Sequence, residues 1–192
     1  MKKVAITGGI GSGKTYISNM FAELGVPIYD SDSRAKKIIN SNIQVKKSIT
    51  SAFGLNCFNG SILDRRYISN LIFNDRSKLK LINSIVHPFV YMDYNCWLLK
   101  QKFNYTIYES AIIYDNQGQY NFDKIIGVIS EEELRISRLL DRGMDNLSIT
   151  NIMKNQMPDS KIVSISDFLI YNNLNNELTE DVKGIHSKLL LY

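Results

Sequence analysis

The first thirty residues alternate between short apolar runs and glycine or polar breaks. Residues 2–7, Lys-Lys-Val-Ala-Ile-Thr, form a short run that ends in a glycine cluster, the pattern of a buried parallel strand. Apolar residues then recur at the i, i+3, i+4, i+7 spacing of one helix face, at Ile17, Met20, Phe21 and Leu24. Gly25 and Pro27 end this helix, and residues 26–29 follow as a second strand. The chain therefore opens as β-loop-α-β, which is typical of an α/β fold.

The long segment 34–103 shows no strand pattern and predicts helices instead. One helix is indicated by the apolar residues Leu79, Ile82, Ile85 and Val86. We predict that it ends at His87, because the residue before a proline avoids the helical conformation. Pro88 fits the first turn of a further helix that runs towards Phe103. The segment is therefore predicted to be a helical insertion beside the sheet.

Strand patterns return in the second half of the chain, at 105–114, 124–129 and 168–171. Ser130 and Glu133 match a capping box, which predicts the start of a helix just after the second of these strands. Helices are predicted over 134–142, 148–156 and 178–189. The last of them is amphipathic, and we expect it to cover one face of the sheet.

The composition is that of a soluble globular protein. Of the 192 residues, 44% are hydrophobic and 22% charged, and no apolar run approaches the roughly 20 residues that cross a bilayer. The net charge of +4 includes no basic block longer than two residues, so we expect no nucleic-acid partner and no membrane association. The chain starts without an apolar leader, and Cys57 and Cys96 lack metal-ligand spacing. We therefore expect a cytoplasmic protein with free thiols.

Residues 8–15 read Gly-Gly-Ile-Gly-Ser-Gly-Lys-Thr, a complete G-x-x-x-x-G-K-[ST] phosphate-loop motif. The motif lies between a predicted strand and a predicted helix, where glycines let successive backbone N–H groups point at phosphate oxygens. Lys14 is expected to reach the β- and γ-phosphates of ATP, and the Thr15 hydroxyl is expected to bind Mg²⁺. The residues predicted to contact the nucleotide are Gly9, Ile10, Gly11, Ser12, Gly13, Lys14, Thr15 and Tyr16.

A phosphate loop by itself does not name the reaction. A glycine-rich turn without a ligand and a GTPase are the alternatives at this point. Residues 115–118, Asp-Asn-Gln-Gly, match the D-x-x-G of GTPases, but the N-K-x-D that would read guanine is absent from the chain. The sequence therefore disfavours a GTPase, and the phosphate loop alone leaves the reaction open.

Further motifs follow the loop in a specific order. The second strand leads into Asp-Ser-Asp at 30–32. The next two motifs are residues 60–65, followed by Phe73, and residues 81–88. The last two are the pair Arg138 and Arg142, followed by Gln156, and the segment 167–173. Together with 6–15, this order resembles the dephospho-coenzyme A kinase family, whose motifs are T-G-G-I-G-S-G-K-S, D-x-D, D-R…F…H-P, R-x3-R with a later Q, and a last strand ending in asparagine. Residues 109–115, Glu-Ser-Ala-Ile-Ile-Tyr-Asp, depart from the family's D-x-P-L-L-(F/V)-E, because the proline is missing and both acids are exchanged.

The patterns and the resemblance together imply a P-loop NTPase fold, with a five-stranded, mostly parallel sheet flanked by helices. They predict a nucleotide-binding core made of 1–33, 91–131 and 161–192, a helical region at 34–90 that binds the coenzyme A substrate, and a lid at 132–160. The resemblance implies transfer of the γ-phosphate of ATP to the ribose 3′-hydroxyl of dephospho-coenzyme A, with Mg²⁺ held by Thr15, an acid and the ATP phosphates. We expect a monomer or a weak homo-oligomer.

Asp32 is the predicted general base. It would follow a strand next to the phosphate-loop strand, where open α/β sheets bind ligands, and a carboxylate there can accept the hydroxyl proton. Asp30 lies two residues earlier, so both side chains share one side if the strand continues, and Asp30 would then contact the substrate or a Mg²⁺-bound water. The alternative for either residue is a helix N-cap.

Basic residues supply the remaining predicted contacts. Arg138 and Arg142 lie on one helix face, and the resemblance implies that their guanidinium groups close on the phosphates and act in catalysis together with Lys14. An exposed helix with solvated charges is the alternative. Arg65 is expected to bind a substrate phosphate or to form a surface salt bridge, and His87 to contact the acceptor or to cap a helix. A kinase with another acceptor and an ATP-binding regulatory protein without turnover stay open as alternative functions.

Overall fold

The computed structural model describes residues 1–72, 75–111, 113, 121–174 and 177–191. Phe73, Asp115 and the rest of the D-x-x-G segment lie outside these ranges. The strands are β1 (Lys2–Thr7), β2 (Ile28–Asp30), β3 (Phe58–Asn59), β4 (Ile62–Leu63), β5 (Tyr105–Glu109), β6 (Lys124–Ile129) and β7 (Phe168–Tyr171). The α-helices are α1 (Lys14–Glu23), α2 (Ser31–Ser41), α3 (Ile43–Phe53), α4 (Arg65–Ile72), α5 (Arg76–Leu98), α6 (Glu132–Asp141), α7 (Asn146–Asn155), α8 (Asp159–Ile165) and α9 (Leu178–Leu191).

The chain divides into two compact units, and the first contains the large sheet. This unit consists of Met1–Asp30 and Gln101–Tyr192, and the second of Ser31–Lys100. Five strands of the first unit form a sheet in the order β2-β5-β1-β6-β7. Every neighbouring pair in it is parallel, which confirms the predicted α/β fold class and the predicted number of strands.

One apolar cluster of the first unit joins the central strands to helices α1 and α9. Ile17 and Phe21 of α1 are fully buried, as the spacing of apolar residues predicts. Val182, Ile185 and Leu189 of α9 belong to the same cluster, so the predicted amphipathic face does pack on the sheet. Burial of these faces stabilises both helices more than their intrinsic propensity does.

The carboxyl ends of the parallel strands bring together the polar residues of the first unit. Glu109 at the end of β5 is in register with Ile6 of β1 on one side and with Asp30 of β2 on the other. Asn172 directly follows β7. Because parallel strands end at the same edge of a sheet, these residues lie around the loop that follows β1, where open α/β sheets place their ligands.

The second unit is helical, as predicted, but its longest helix contradicts one prediction. Helix α5 continues for 23 residues through Pro88, so the predicted break between His87 and Pro88 is wrong. Its buried residues recur every four positions across the proline, at Ile82, Val86, Val90 and Tyr94. Packing of this continuous face against α2, α3 and α4 outweighs the local bias of the residue before proline.

The second unit also contains a small hairpin, so the prediction of no strand in 34–103 is wrong. Strands β3 and β4 pair in antiparallel fashion, and Gly60 in the turn between them has a φ of 60°. Strands of two residues are too short to show an alternating pattern, so periodicity could not predict them. Among the described helices of both units, none is long and apolar enough to cross a membrane.

Elements of the second half of the chain follow the predictions with three exceptions. Strands β6 and β7 have the predicted bounds, but β5 ends at Glu109 rather than at 114, because β2 and β1 end beside it and offer no further pairing. The predicted capping box is wrong, since the Ser130 hydroxyl donates to the Asn172 carbonyl oxygen at 2.9 Å and α6 begins without a side-chain cap. Helix α8 had not been predicted.

Candidate active site

The phosphate loop joins β1 to α1 and needs glycine at its last position. Gly13, just before α1, has a φ of 91°, a conformation that side chains with a Cβ rarely adopt. A Cβ on Gly13 would also collide with the amide nitrogen of Asn172. The backbone N–H groups of the loop therefore lie next to the amino-terminal end of α1, which carries partial positive charge. This combination favours the binding of phosphate.

The Lys14 side chain folds back over the start of the same loop. Its ammonium group donates to the carbonyl oxygens of Gly8 at 2.9 Å and of Gly9 at 3.1 Å. Anionic oxygens form stronger hydrogen bonds with an ammonium group than neutral carbonyls do. A phosphate can therefore replace these carbonyls as the partner of Lys14 with only a small movement of the side chain.

Asn172 connects the end of β7 to the phosphate loop by a hydrogen bond. Its side-chain Nδ2 donates to the Ser12 carbonyl oxygen at 2.8 Å, and its backbone N–H donates to the Ile129 carbonyl oxygen at 2.7 Å. The residue is buried, so both contacts are shielded from water. The sequence analysis noted an asparagine at the end of the last strand but assigned it no contact with the loop.

Thr15 and Glu109 form the acidic side of the site. The Thr15 hydroxyl donates to Oε1 of Glu109 at 2.6 Å. Burial raises the pKa of the Glu109 carboxyl above its usual range, the hydrogen bond from Thr15 opposes this shift, and the negative charge of Asp30 adds to it. A hydroxyl and two carboxyls thus lie at one edge of the sheet, and all of them offer oxygen ligands.

The two predicted lid arginines differ in their surroundings. Arg138 donates through Nη1 to the Gly11 carbonyl oxygen at 3.3 Å and through Nη2 to the Asn172 carbonyl oxygen at 3.1 Å. Arg142 directly follows α6 and is exposed. The structure thus places Arg138 against the phosphate loop and Arg142 one helical turn further along, at the surface.

A third arginine, Arg135, contacts the loop more closely, and the sequence analysis missed it. Arg135 is only 5% exposed, and its Nε donates to the Ile10 carbonyl oxygen at 2.9 Å. Its Nη1 lies 3.2 Å from both carboxylate oxygens of Asp159 in α8. The partners lie far apart in the sequence, and α8 itself was not predicted, so no local pattern pointed to this residue.

The other predicted site residues have these positions. Tyr16, in the first turn of α1, is 59% exposed, and Asp30 is half-buried at the end of β2. Asp32 is exposed in the first turn of α2 and follows β2, as expected, but the chain turns into a helix at Ser31, so Asp30 and Asp32 do not share one side of a strand. The expectation that this strand neighbours the phosphate-loop strand is wrong, because β5 lies between β2 and β1. In the second unit, Arg65 is exposed at the first position of α4, and His87 is half-buried within α5.

Comparisons with known proteins agree with this geometry. A family model described as dephospho-CoA kinase matches residues 2–178. A dephospho-CoA kinase from Gamma-proteobacterium EBAC31A08 is 33% identical to the chain, and the alignment covers 97% of this chain and 96% of the relative.

Two solved structures share the fold. A protein from Thermus thermophilus aligns with a TM-score of 0.83 at 22% identity, covering 99% and 96% of the two chains. A dephospho-CoA kinase from Campylobacter jejuni aligns with a TM-score of 0.60 at 19% identity, covering 98% and 97%. The chain therefore has a P-loop NTPase fold and belongs to the dephospho-CoA kinase family.

Proposed function

We propose that this protein transfers the γ-phosphoryl group of ATP to the ribose 3′-hydroxyl of dephospho-CoA, which gives coenzyme A and ADP. One observation carries the proposal: a complete phosphate loop, with Lys14 folded over it, stands at the carboxyl edge of the parallel sheet in a chain of this family. In such a reaction the protein contributes positioning and electrostatic stabilisation.

The loop would hold the phosphates of ATP through backbone N–H groups and through Lys14. The N–H of Ile10 is already engaged, since it donates to Oε1 of Gln156 at 2.7 Å. We therefore assign Ile10 the task of fixing the loop. Gly9 and the residues from Gly11 to Tyr16 would contact the phosphates, and the Ser12 N–H would exchange the Gly9 carbonyl oxygen, to which it donates at 3.2 Å, for a phosphate oxygen. Lys14 would exchange its carbonyl partners for the oxygens of the β- and γ-phosphates.

The donor set at the edge of the sheet fits Mg²⁺. Hard divalent cations prefer oxygen ligands, and Thr15, Glu109 and Asp30 offer a hydroxyl and two carboxyls there. Thr15 would hold the ion together with the ATP phosphates, and the buried Glu109 would orient the Thr15 hydroxyl. When bound, Mg²⁺ neutralises charge on the phosphates that develops during transfer.

Acidic and basic side chains would act on the acceptor. Asp32 would accept the proton of the ribose 3′-hydroxyl, and Asp30 would contact the acceptor and is the next candidate for the base. Arg65 and His87 would bind the acceptor in the helical unit. That unit, Ser31–Lys100, contains the whole region 34–90 for which substrate binding is predicted.

Arg138 and Arg142 would stabilise the charge of the transferred phosphoryl group. Arg138 binds the Gly11 carbonyl oxygen at a long distance of 3.3 Å, and a phosphate oxygen would be a stronger partner. A segment that closes over the phosphates also excludes water and so prevents hydrolysis of ATP. A cytoplasmic location and a monomeric or weakly oligomeric state stay predictions for this protein.

The proposal is tested by the choice of acceptor. The purified protein is incubated with Mg-ATP and, separately, with dephospho-CoA, AMP, adenosine or shikimate, and ADP release is followed over time. We expect dephospho-CoA to give by far the highest kcat/KM. An unrelated acceptor with a kcat/KM about tenfold higher, a difference of about 1.4 kcal/mol in transition-state stabilisation, would overturn the assignment.

A further inference from the structure

Ile10 of the phosphate loop is held through both of the peptide groups that flank it. The Ile10 N–H donates to Gln156, which directly follows α7, and the Ile10 carbonyl oxygen accepts from Arg135 of α6. Both hydrogen bonds are shorter than 3.0 Å, with heavy-atom distances of 2.7 and 2.9 Å. The first bond fixes the peptide group between Gly9 and Ile10, and the second fixes the peptide group between Ile10 and Gly11, and with it the direction of the Gly11 N–H.

Arg135 is held in place by an ion pair with Asp159 of α8. Its side chain is 6% exposed, whereas that of Asp159 is 39% exposed and borders an open cavity of about 460 Å³ between α6 and α7. A buried guanidinium group without a partner is strongly unfavourable, so Asp159 balances the charge of Arg135 and orients its side chain. The two carboxylate oxygens share one terminal nitrogen, which leaves the Nε edge directed at Ile10.

The guanidinium plane also lies directly against the backbone of the loop. A Cβ on Gly9 would collide with Nη2 of Arg135. The carbonyl oxygen of Gly9 accepts from the Lys14 ammonium group, so Arg135 lies beside the same stretch of loop that Lys14 crosses. The arginine thus fills the space behind the loop and limits how far Gly9 and Ile10 can move.

We infer that Arg135 is a positioning residue for the phosphate loop and that Asp159 orients it. Arg135 acts through the Ile10 carbonyl oxygen: it fixes the peptide group between Ile10 and Gly11, and the N–H groups from Gly11 onwards then converge on the phosphates. The inference rests on the proposed function only in requiring that the loop binds a nucleotide. It concerns the loop as a whole, so it predicts equal effects on nucleotides with and without a γ-phosphate.

The test compares ADP and ATP binding in two variants and a control. A hydrogen bond to a charged group corresponds to roughly tenfold to a hundredfold in an equilibrium constant, so we expect Arg135→Gln to raise the Kd of ADP and of ATP by equal factors in that range. Asp159→Asn keeps an oxygen acceptor and should raise both constants equally, but less. Lys161→Gln removes an exposed charge from the same helix α8 and should leave both unchanged. Binding is measured by calorimetry with Mg²⁺, and thermal unfolding is recorded for each variant.

Each departure from this result has a definite meaning. A loss confined to ATP would show direct contact with the γ-phosphate and overturn the positioning role. Unchanged Kd values with a lowered unfolding temperature would show a purely structural role and overturn it as well. If Arg135→Gln does not fold, Asp159→Asn decides by the same criteria. A wild-type protein that binds neither nucleotide would instead contradict the proposed function.

Discussion

The hydroxyl of Thr15 donates to Oε1 of Glu109 at 2.6 Å, which connects the first turn of α1 to the end of β5. The two residues are 94 positions apart in the sequence. Glu109 lies in the segment that departs from the family motif, yet its carboxyl is buried beside the phosphate loop. Because of this contact, we expect Glu109 to keep a role in the site although it differs from the family's acid.

Replacing Glu109 by Gln should weaken the use of Mg²⁺. The amide keeps the shape of the side chain but has no charge and does not polarise the Thr15 hydroxyl in the same way. Loss of such an outer contact typically costs about 10- to 100-fold in metal affinity or activity. The measurement is the Mg²⁺ concentration that gives half-maximal rate, with Glu133→Gln at an exposed position of α6 as the matched control. An unchanged Mg²⁺ dependence in Glu109→Gln would contradict the assigned role.

Asp32→Asn should lower kcat while ATP affinity stays nearly unchanged. Asparagine keeps one acceptor oxygen but cannot take the proton of the ribose hydroxyl, and loss of a general base typically costs about 10²- to 10⁴-fold in rate. Single-turnover transfer and ATP binding are measured separately for the variant. Transfer at the wild-type rate would exclude Asp32 as the base and leave Asp30, at the end of β2, as the next candidate.

Arg138→Ala and Arg142→Ala should each lower kcat and increase the fraction of ATP that is hydrolysed without transfer. An arginine that stabilises charge in phosphoryl transfer can contribute about 10³- to 10⁵-fold, although two arginines of one segment can partly replace each other. The ratio of ADP to phosphorylated acceptor reports the loss of water exclusion. Wild-type behaviour of both variants would mean that residues 132–160 form an ordinary exposed helical segment.

His186 should make the stability of the first unit depend on pH. Its Nδ1 lies 2.7 Å from the Tyr105 hydroxyl oxygen, and burial lowers the pKa of His186 in the folded chain. The unfolded chain therefore binds more protons as the pH falls below about 6.5, and acidification favours unfolding. Burial raises the pKa of Tyr105, so the phenol stays neutral throughout this range.

The measurement is the unfolding temperature at about pH 7.5 and about pH 5.5, on either side of the ordinary pKa of histidine. We expect His186→Gln to lose part of the decrease that the wild-type protein shows on acidification, since glutamine is neutral at both values. The same decrease in the variant and in the wild type would show that other groups control the acid sensitivity.

Local patterns predicted the parts of the fold that depend on neighbouring residues. The phosphate loop, β6, β7 and the apolar face of α9 are set by a few adjacent residues, and all of them were found in the sequence. Pro88 shows where such reasoning fails, because a face of α5 that is buried along its whole length overrides the preference of the residue before proline.

The candidate site was only partly predictable for a related reason. Lys14 and Thr15 belong to a contiguous motif, whereas Arg135 gains its position from Ile10 and Asp159, which are distant in the sequence. Ser130 matched a local helix-capping pattern, yet its hydroxyl binds the Asn172 carbonyl oxygen from another strand end. Residues whose partners come from other elements cannot be assigned before the order of the strands is known.

The central claim is that the ribose 3′-hydroxyl of dephospho-CoA receives the phosphoryl group. The most direct measurement incubates the protein with Mg-ATP and either dephospho-CoA or its 3′-deoxy analogue, and identifies the products by mass spectrometry and phosphorus NMR. The account predicts a product identical to coenzyme A from the first substrate and no phosphorylated product from the second. Phosphorylation of the 3′-deoxy analogue, or of dephospho-CoA at another position, would contradict it.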